Sequence, residues 1–224
     1  MIEVRQLSFA WSSDLILDDI SLSVSPGKPV AVTGANGSGK STLLRVMAGL
    51  AVPVSGTVVA DGCDVFTHPL KYRRGLGYLP ERAPVEYGMT VSKYLNFRAR
   101  FKGEQIRKIR HRVEETIEIC SLAAYEDTRI ELLSHGLAKR VALAEVFLLR
   151  PRYVILDDPF AGLDAKSRDA VCKAISSFTS FASVIVAGHE IDAFKKFTNN
   201  IYELAAGRLL SFEELDKKEE GGES

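Results

Sequence analysis

The chain has 224 residues, of which 46% are hydrophobic and 26% charged, and 29 Lys and Arg balance 29 Asp and Glu. This composition is ordinary for a soluble globular domain with one core, and the zero net charge argues against a nucleic-acid partner. The three cysteines, Cys63, Cys120 and Cys172, match neither a metal-ligand spacing nor a disulfide framework, which favours a reducing cytosol. No segment approaches the roughly 18 apolar residues of a membrane-spanning helix.

Short β-type runs open the chain. IEVRQLSF and ISLSV precede a Ser-Pro-Gly turn at residues 25–27, and the charged start predicts a strand and no signal peptide. PVAVTG predicts an apolar strand leading into a Gly-rich turn, and STLLRVMAGL has helical spacing that stops at Gly49 and Pro53. TVVADGCDV predicts another short strand with a turn at Asp61-Gly62.

The pattern changes to helical from about Thr90, which can cap a helix, to Leu122. The Arg- and Lys-rich stretch 98–112 within it predicts a solvated helix face. RYVILDD (152–158) and SVIVAGHE (183–190) are continuous apolar runs, as expected for strands buried on both faces of a parallel sheet.

A phosphate-binding pattern occupies residues 34–41, where GANGSGKS fits G-x-x-x-x-G-K-[ST] between a predicted strand and a predicted helix. The glycines let the backbone curl so that successive N–H groups point at phosphate oxygens, and the helix adds its N-terminal dipole. Lys40 is expected to reach the β- and γ-phosphates of ATP, Ser41 to ligate Mg²⁺ and Thr42 to add a hydroxyl. The expected ATP-binding residues of this segment are Gly34, Ala35, Asn36, Gly37, Ser38, Gly39, Lys40, Ser41 and Thr42.

Two carboxylates end the apolar run YVILDD. Asp157 is expected to hold Mg²⁺ through the hydration shell of the ion, because Mg²⁺ takes few protein ligands. Asp158 is then placed to polarise the attacking water. Paired carboxylates can instead merely end a strand and cap the next element, but the phosphate-binding pattern upstream favours the catalytic interpretation.

These elements predict an α/β fold: a P-loop NTPase core with a mainly parallel sheet, an N-terminal antiparallel β subdomain and an inserted α-helical subdomain at about residues 84–140. We expect one ATP-binding domain over residues 1–212. The charged, Gly-rich tail at 213–224 is expected to be disordered.

The chain resembles ABC-type ATPases over nearly all of residues 1–210. LSHGL (133–137) looks like the signature loop of the family, with Ser134 and Gly136 retained, and FAGLD (160–164) resembles the loop that contacts the second subunit. The resemblance implies that Ser134 and Gly136 bind the ATP held by the opposite subunit.

Three further residues take their expected roles from the same resemblance. His189 matches the switch histidine that contacts the γ-phosphate, and with Lys40 and Asp158 it completes the expected catalytic set. Trp11 stands where the family places an aromatic ring against adenine. Glu81, in GYLPE (77–81), occupies the place of a usual Gln and is expected to ligate the metal or its water.

Plainer interpretations stay open for these residues. Trp11 can be an ordinary half-buried aromatic, His189 a core histidine, and Ser134 with Gly136 a helix cap. The remaining histidines have no partner spacing and are expected at the surface; they are His68, His111 and His135.

The resemblance implies two domains packed head to tail around two MgATP, forming a homodimer or a heterodimer. An integral membrane permease is the second expected partner, contacted by the helical subdomain and by Glu81 with the segment 82–89. The chain is then cytoplasmic and peripheral on the inner face of the cell membrane. Asp158 departs from the usual Glu by one methylene, which predicts weak hydrolysis by this subunit alone.

Three functions compete. The segments GYLPE and LSHG most resemble exporter-type transporter ATPases, with the haem-export subunit of cytochrome c maturation as one possible relative. Importer subunits often carry an added regulatory domain, for which 224 residues leave no room. The alternatives are a soluble ABC-type ATPase, such as a scaffold ATPase of iron–sulfur assembly, and a weakly hydrolysing regulatory ATP-binding subunit.

Overall fold

A computed structural model describes residues 1–82 and 88–211. The predicted disordered tail at 213–224 and the first residues of the predicted helical subdomain, 84–87, lie outside the described residues. Within the described ranges, no helix is long and apolar enough to cross a membrane.

An antiparallel sheet contains the N-terminal strands, as the sequence predicts. Its strands are β1 (Ile2–Trp11), β2 (Asp14–Val24), β4 (Ser55–Ala60) and β5 (Cys63–Asp64), in the order β2-β1-β4-β5. The run TVVADGCDV is therefore two paired strands around the turn at Asp61-Gly62, where both residues have positive φ. Hydrophobic residues of β1 and β2 alternate inward, so one face of this sheet packs on the core.

A second sheet forms the centre of the fold, with the order β10-β9-β3-β8-β7-β6. Its strands are β3 (Val30–Thr33), β6 (Leu76–Leu79), β7 (Tyr153–Asp157), β8 (Ser183–Ala187), β9 (Asn200–Ala205) and β10 (Arg208–Ser211). All pairs are parallel except β9 with the edge strand β10. Every residue of β3, β7 and β8 is buried, which explains their continuous apolar sequences.

Helices cover the central sheet, and the helices that lie between β6 and β7 in the sequence form a separate layer. They are α1 (Lys40–Met47), α2 (Pro69–Arg73), α3 (Val91–Phe101), α4 (Ile106–Ile119), α5 (His135–Phe147), α6 (Ala165–Thr179) and α7 (Ile191–Phe194). Thr90 caps α3, because its Oγ1 accepts a hydrogen bond from the Lys93 N–H at 3.4 Å. The Phe147 ring stacks on Phe178 with ring centroids 4.0 Å apart, which packs α5 against α6.

Most basic residues of the stretch 98–112 are exposed, as predicted for a solvated helix face. Arg98 and Lys102 also belong to an ion-pair cluster on Glu145, which the sequence did not predict. The Arg98 Nε donates to Glu145 Oε1 at 2.8 Å, the Lys102 Nζ donates to the Glu145 carbonyl at 2.8 Å, and the Tyr94 hydroxyl also donates to the carboxylate. Burial acts to raise the pKa of Glu145, but Lys102, Tyr94 and Arg98 outweigh it and lower that pKa. Arg98 and Lys102 therefore join α3 to α5.

The hairpin of β9 and β10 connects the two sheets. Its turn residue Gly207 accepts a hydrogen bond from the Asp18 N–H of β2 at 2.8 Å. Beside it, the Arg208 guanidinium binds the Asp18 carboxylate at 2.7 Å. The last described strands thus hold the antiparallel sheet against the central one.

Candidate functional site

Four parallel strands end at one edge of the central sheet, and each is followed by a predicted site residue. Gly34 follows β3, Glu81 follows β6 after Pro80, Asp158 follows β7, and His189 follows β8 after Gly188. Parallel strands bring their carboxyl ends to the same edge, where ligands of such sheets bind. A cleft of about 380 Å³ at this edge is lined by Trp11, Ile16, Asn36, Gly37, Gly39, Lys40, Ser41, Thr42, Glu81, Asp157, Asp158, Gly188 and His189.

Gly34 begins the phosphate-binding loop under tight steric constraint. Its φ is +143°, and a Cβ at this position would meet the Leu204 carbonyl oxygen at 2.4 Å and the Ser38 Oγ at 2.9 Å. The loop ends at Gly39, whose φ of +105° turns the chain into α1. Glycine is therefore required at both ends of the loop for geometric reasons.

Lys40 lies under the loop with 9% of its surface exposed. Its Nζ donates to the carbonyl oxygens of Gly34 at 2.8 Å and Ala35 at 2.9 Å. Burial lowers the pKa of Lys40, and the nearby carboxylates of Asp158, Asp157 and Glu81 oppose this effect.

The hydroxyl of Ser38 indicates whether the loop can bind an anion. Its Oγ is buried, and no hydrogen-bond partner for it is found within the described part of the chain. Buried hydroxyls normally have such a partner. An unsatisfied hydroxyl, a buried ammonium and a helix N-terminus around one cradle fit a phosphate group.

Ser41 and Asp157 meet at the base of the cleft. The Ser41 Oγ donates to Asp157 Oδ1 at 3.1 Å, and Asp157 is 4% exposed. Burial raises the pKa of Asp157, against the opposing hydrogen bond from Ser41. A hydroxyl and a carboxylate are the hard oxygen ligands that Mg²⁺ takes, and Glu81 supplies another carboxylate to the same cleft.

Carboxylate and hydroxyl oxygens predominate among the possible metal ligands of the cleft, which also contains the imidazole of His189. Across residues 1–82 and 88–211, no group of three or more His, Cys, Asp and Glu side chains could hold a metal ion. The Ser41 hydroxyl and the Asp157 carboxylate fit an ion that keeps several of its waters, as Mg²⁺ does.

Asp158 adopts a left-handed backbone conformation with φ +48°. Asp tolerates this region better than most residues, and such conformations concentrate at functional sites. Its N–H donates to the Ala187 carbonyl at 2.8 Å, which ties it to β8, and a Cβ on Gly188 would lie 3.2 Å from its Oδ1. Burial raises the pKa of Asp158, while Lys139 and His189 act to lower it.

Trp11 and Ile16 form an apolar wall of the cleft. Trp11 is 51% exposed at the end of β1, with its ring edge-on to Phe9 at 5.0 Å between centroids. Ile16, on β2, was missed by the sequence analysis because nothing in the alternation of β2 marks it as different from its neighbours. The wall has the chemistry to accept a flat ring.

Ser134 and Gly136 do not line this cleft. The Ser134 Oγ accepts a hydrogen bond from the Leu137 N–H at 3.4 Å and caps α5, while Gly136 packs so close to Ser167 that a Cβ would lie 2.7 Å from its Oγ. His135 is exposed, as predicted, but its Nε2 lies 3.3 Å from the Ala161 carbonyl oxygen, so it contacts the FAGLD loop.

Lys139 is the second residue that the sequence analysis missed. It is 8% exposed on α5, and its Nζ donates to the Glu81 carbonyl oxygen at 3.2 Å. Ala142, Leu143 and Val146, at i+3, i+4 and i+7, are buried as well. A lysine within this apolar stripe was a readable signal, because a lysine is rarely buried without a partner.

The P-loop α/β fold and this cleft define an ATP-binding cassette, and the chain belongs to the ABC transporter family, whose profile matches residues 17–161. It is 32% identical over 218 residues to the Fe(3+) ions import ATP-binding protein FbpC of Yersinia pestis, covering 93% of this chain and 60% of that protein. It is 37% identical over 167 residues to the sulfate/thiosulfate import ATP-binding protein CysA of Synechococcus elongatus, covering 75% and 48%. The chain thus spans about half to three-fifths of these relatives.

A solved structure supports the fold. The chain aligns with a dimeric ATP-binding cassette in a post-hydrolysis state bound to ADP and Pi, with a TM-score of 0.82 and 23% identity. The alignment covers 93% of this chain and 96% of the other.

Proposed function

We propose that the chain is the ATP-hydrolysing motor subunit of an ABC membrane transporter. One observation carries the proposal: Ser41 of the phosphate-binding loop and Asp157 of β7, 116 positions apart, are joined by a 3.1 Å hydrogen bond in a cleft that also contains Lys40 and Asp158. This combination provides phosphate binding, metal ligation and water activation in one place.

Each side of the cleft has a proposed task. Trp11 and Ile16 take the adenine ring, and the loop N–H groups with Lys40 bind the phosphates. Ser41, Asp157 and Glu81 are the proposed Mg²⁺ ligands; when bound, the ion offsets charge on the phosphate oxygens.

The remaining cleft residues are proposed to act at the terminal phosphate. Asp158 orients and polarises the attacking water, and its connection to β8 through Ala187 holds it at a fixed place beside Gly188. His189, exposed at the end of β8, contacts the γ-phosphate.

The active unit is proposed to be a head-to-tail dimer with two MgATP. Ser134 is exposed at the start of α5 and outside the cleft of its own chain, which supports a role of Ser134 and Gly136 toward the ATP of the opposite subunit. The relative solved as a dimer supports the same assembly.

A membrane permease is the proposed third component, with the chain peripheral on the inner face of the cell membrane. The direction of transport predicted from the sequence is export, whereas FbpC and CysA are named for import.

A soluble ABC-type ATPase is the alternative to a transporter subunit. Fractionation of cells separates the two: the transporter subunit sediments with the membranes and is released by alkali, and a soluble ATPase stays in the supernatant.

Nucleotide binding can be measured through Trp11, the single tryptophan of the chain. We expect ATP to change its fluorescence with a saturable dependence, because stacking on the indole alters its surroundings. Phosphate release is expected only when Mg²⁺ is present. A fluorescence that ATP leaves unchanged, together with no Mg²⁺-dependent phosphate release, would contradict the proposal.

Slow turnover is proposed as a consequence of Asp158, whose side chain is one methylene shorter than the Glu usual in the family. We expect Asp158→Glu to raise the rate of ATP hydrolysis several-fold. The substitution is also expected to lower the stability of the fold slightly, because Glu adopts a φ of +48° less readily than Asp. The measurement is steady-state phosphate release at saturating ATP. No gain in turnover by a folded Asp158→Glu variant counts against the shorter side chain as the limiting feature.

A further inference from the structure

Lys139 is not among the residues that line the cleft, but it contacts Glu81, which is one of them. Its side chain is almost fully buried on α5, and its Nζ reaches the main-chain oxygen of Glu81 at 3.2 Å. Burial lowers the pKa of Lys139, against the opposing negative charges of Asp158, Asp157 and Glu81. The same three carboxylates act on Lys40, so two buried lysines share the influence of one carboxylate cluster.

The contact joins two parts of the molecule that have different proposed tasks. Glu81 follows β6 after a single residue, and its side chain lines the cleft. Lys139 lies one helical turn beyond Gly136, near the start of α5. The bond therefore links the cleft of one subunit to the segment proposed to serve the ATP of the other.

We propose that Lys139 is a positioning residue for ATP hydrolysis: it holds the Glu81 main chain against α5 and so directs the Glu81 side chain into the cleft. The inference rests on the proposed function, since it concerns how the same cleft is organised. Because the hydrogen-bond acceptor is a carbonyl oxygen, Lys139 is the end of the contact that substitution can remove.

The test compares Lys139→Met and Lys139→Arg with Lys108→Met in the full chain. Lys108 is an exposed lysine on α4 and serves as the matched control. ATP affinity is measured through Trp11 fluorescence, turnover through phosphate release with Mg²⁺, and folding through the melting temperature.

We expect Lys139→Met to lower turnover by about 10-fold with ATP affinity within about 3-fold of wild type, because a small displacement of a site residue affects the transition state most. Lys139→Arg, which retains a charged donor, is expected to restore most of the turnover. A residue that only stabilises the fold would change the melting temperature without this division between affinity and turnover.

A Glu81→Gln background separates two ways in which Lys139 can act. If Lys139 acts through the carbonyl oxygen, Lys139→Met lowers turnover by the same factor in this background. If Lys139 only offsets the Glu81 charge, its substitution has no effect there, and the proposal is overturned.

Two further outcomes are distinguishable. Wild-type protein that neither binds nor hydrolyses ATP overturns the proposed function, whereas an active wild type with equal turnover in Lys139→Met and Lys108→Met overturns only the role of Lys139.

If Lys139→Met does not fold, Lys139→Gln is used, since its amide nitrogen ends one bond short of the Nζ position. Wild-type turnover in that variant overturns the proposal, and lowered turnover at unchanged affinity supports it.

Discussion

Replacing Lys40 by Met is expected to lower ATP turnover by about 10³-fold or more and to weaken ATP binding by at least about 10-fold. The ammonium is the buried positive charge closest to the loop carbonyls of Gly34 and Ala35, and a phosphate in the cradle would take its hydrogen bonds. Charge stabilisation of a transferring phosphoryl group by one fixed cation is worth about this much. Trp11 fluorescence and phosphate release measure the two effects.

We expect Lys40→Met to lose activity without a loss of folding stability. Met is one atom shorter than Lys but otherwise similar in shape, and burial lowers the pKa of Lys40, which disfavours its charge. We therefore expect a melting temperature equal to or above that of wild type. Lys108→Met is again the control for removing a lysine. Turnover of a folded Lys40→Met protein close to wild type would exclude the proposed phosphate site.

Replacing Asp158 by Asn is expected to lower turnover by about 10²- to 10³-fold while ATP affinity stays equal or improves. The substitution removes the carboxylate that is proposed to polarise water, a contribution of roughly this size for a general base. It also removes a negative charge beside the phosphates. Asn has the same shape as Asp and tolerates φ +48°, so the backbone at this position is preserved.

The Asn variant also tests the proposed cycle. If hydrolysis opens the dimer, the variant should accumulate as an ATP-bound dimer that sedimentation velocity detects, and wild type should not. Asp127→Asn, on an exposed position of the helical layer, controls for loss of one carboxylate. A monomeric Asn variant with wild-type turnover would assign water activation to another residue.

Much of the site was predictable because its signals are local. The strand before Gly34 and the strand before Asp158 are short, continuous apolar runs, and in a parallel sheet such runs end at one edge. The steric reason for the first glycine was not visible, because it depends on the Leu204 carbonyl oxygen 170 positions later. Local sequence thus predicts which residues meet but not what packs behind them.

The missed features are contacts between distant elements. Lys139 faces Glu81, 58 positions away, and Arg98 faces Glu145, 47 positions away. Arg98 lies on a helix whose charged residues are compatible with solvent exposure, so local periodicity favours that interpretation. Lys139 stands out within an apolar stripe, but nothing local identifies its partner. Only the packing of α5 between α3 and β6 determines that these side chains are satisfied inside the protein.

The hairpin of β9 and β10 has a consequence for the order of events during synthesis. Gly34 packs closely against the Leu204 carbonyl oxygen, so the phosphate-binding loop contacts this hairpin. A Cβ on Gly207 would lie 2.9 Å from the Ile16 carbonyl oxygen, so the apolar wall packs against the same hairpin. A growing chain contains every residue of the proposed nucleotide site once His189 is added, but it lacks this support until about residue 208. We therefore expect the phosphate-binding loop and the apolar wall to reach their final geometry only after this hairpin has formed.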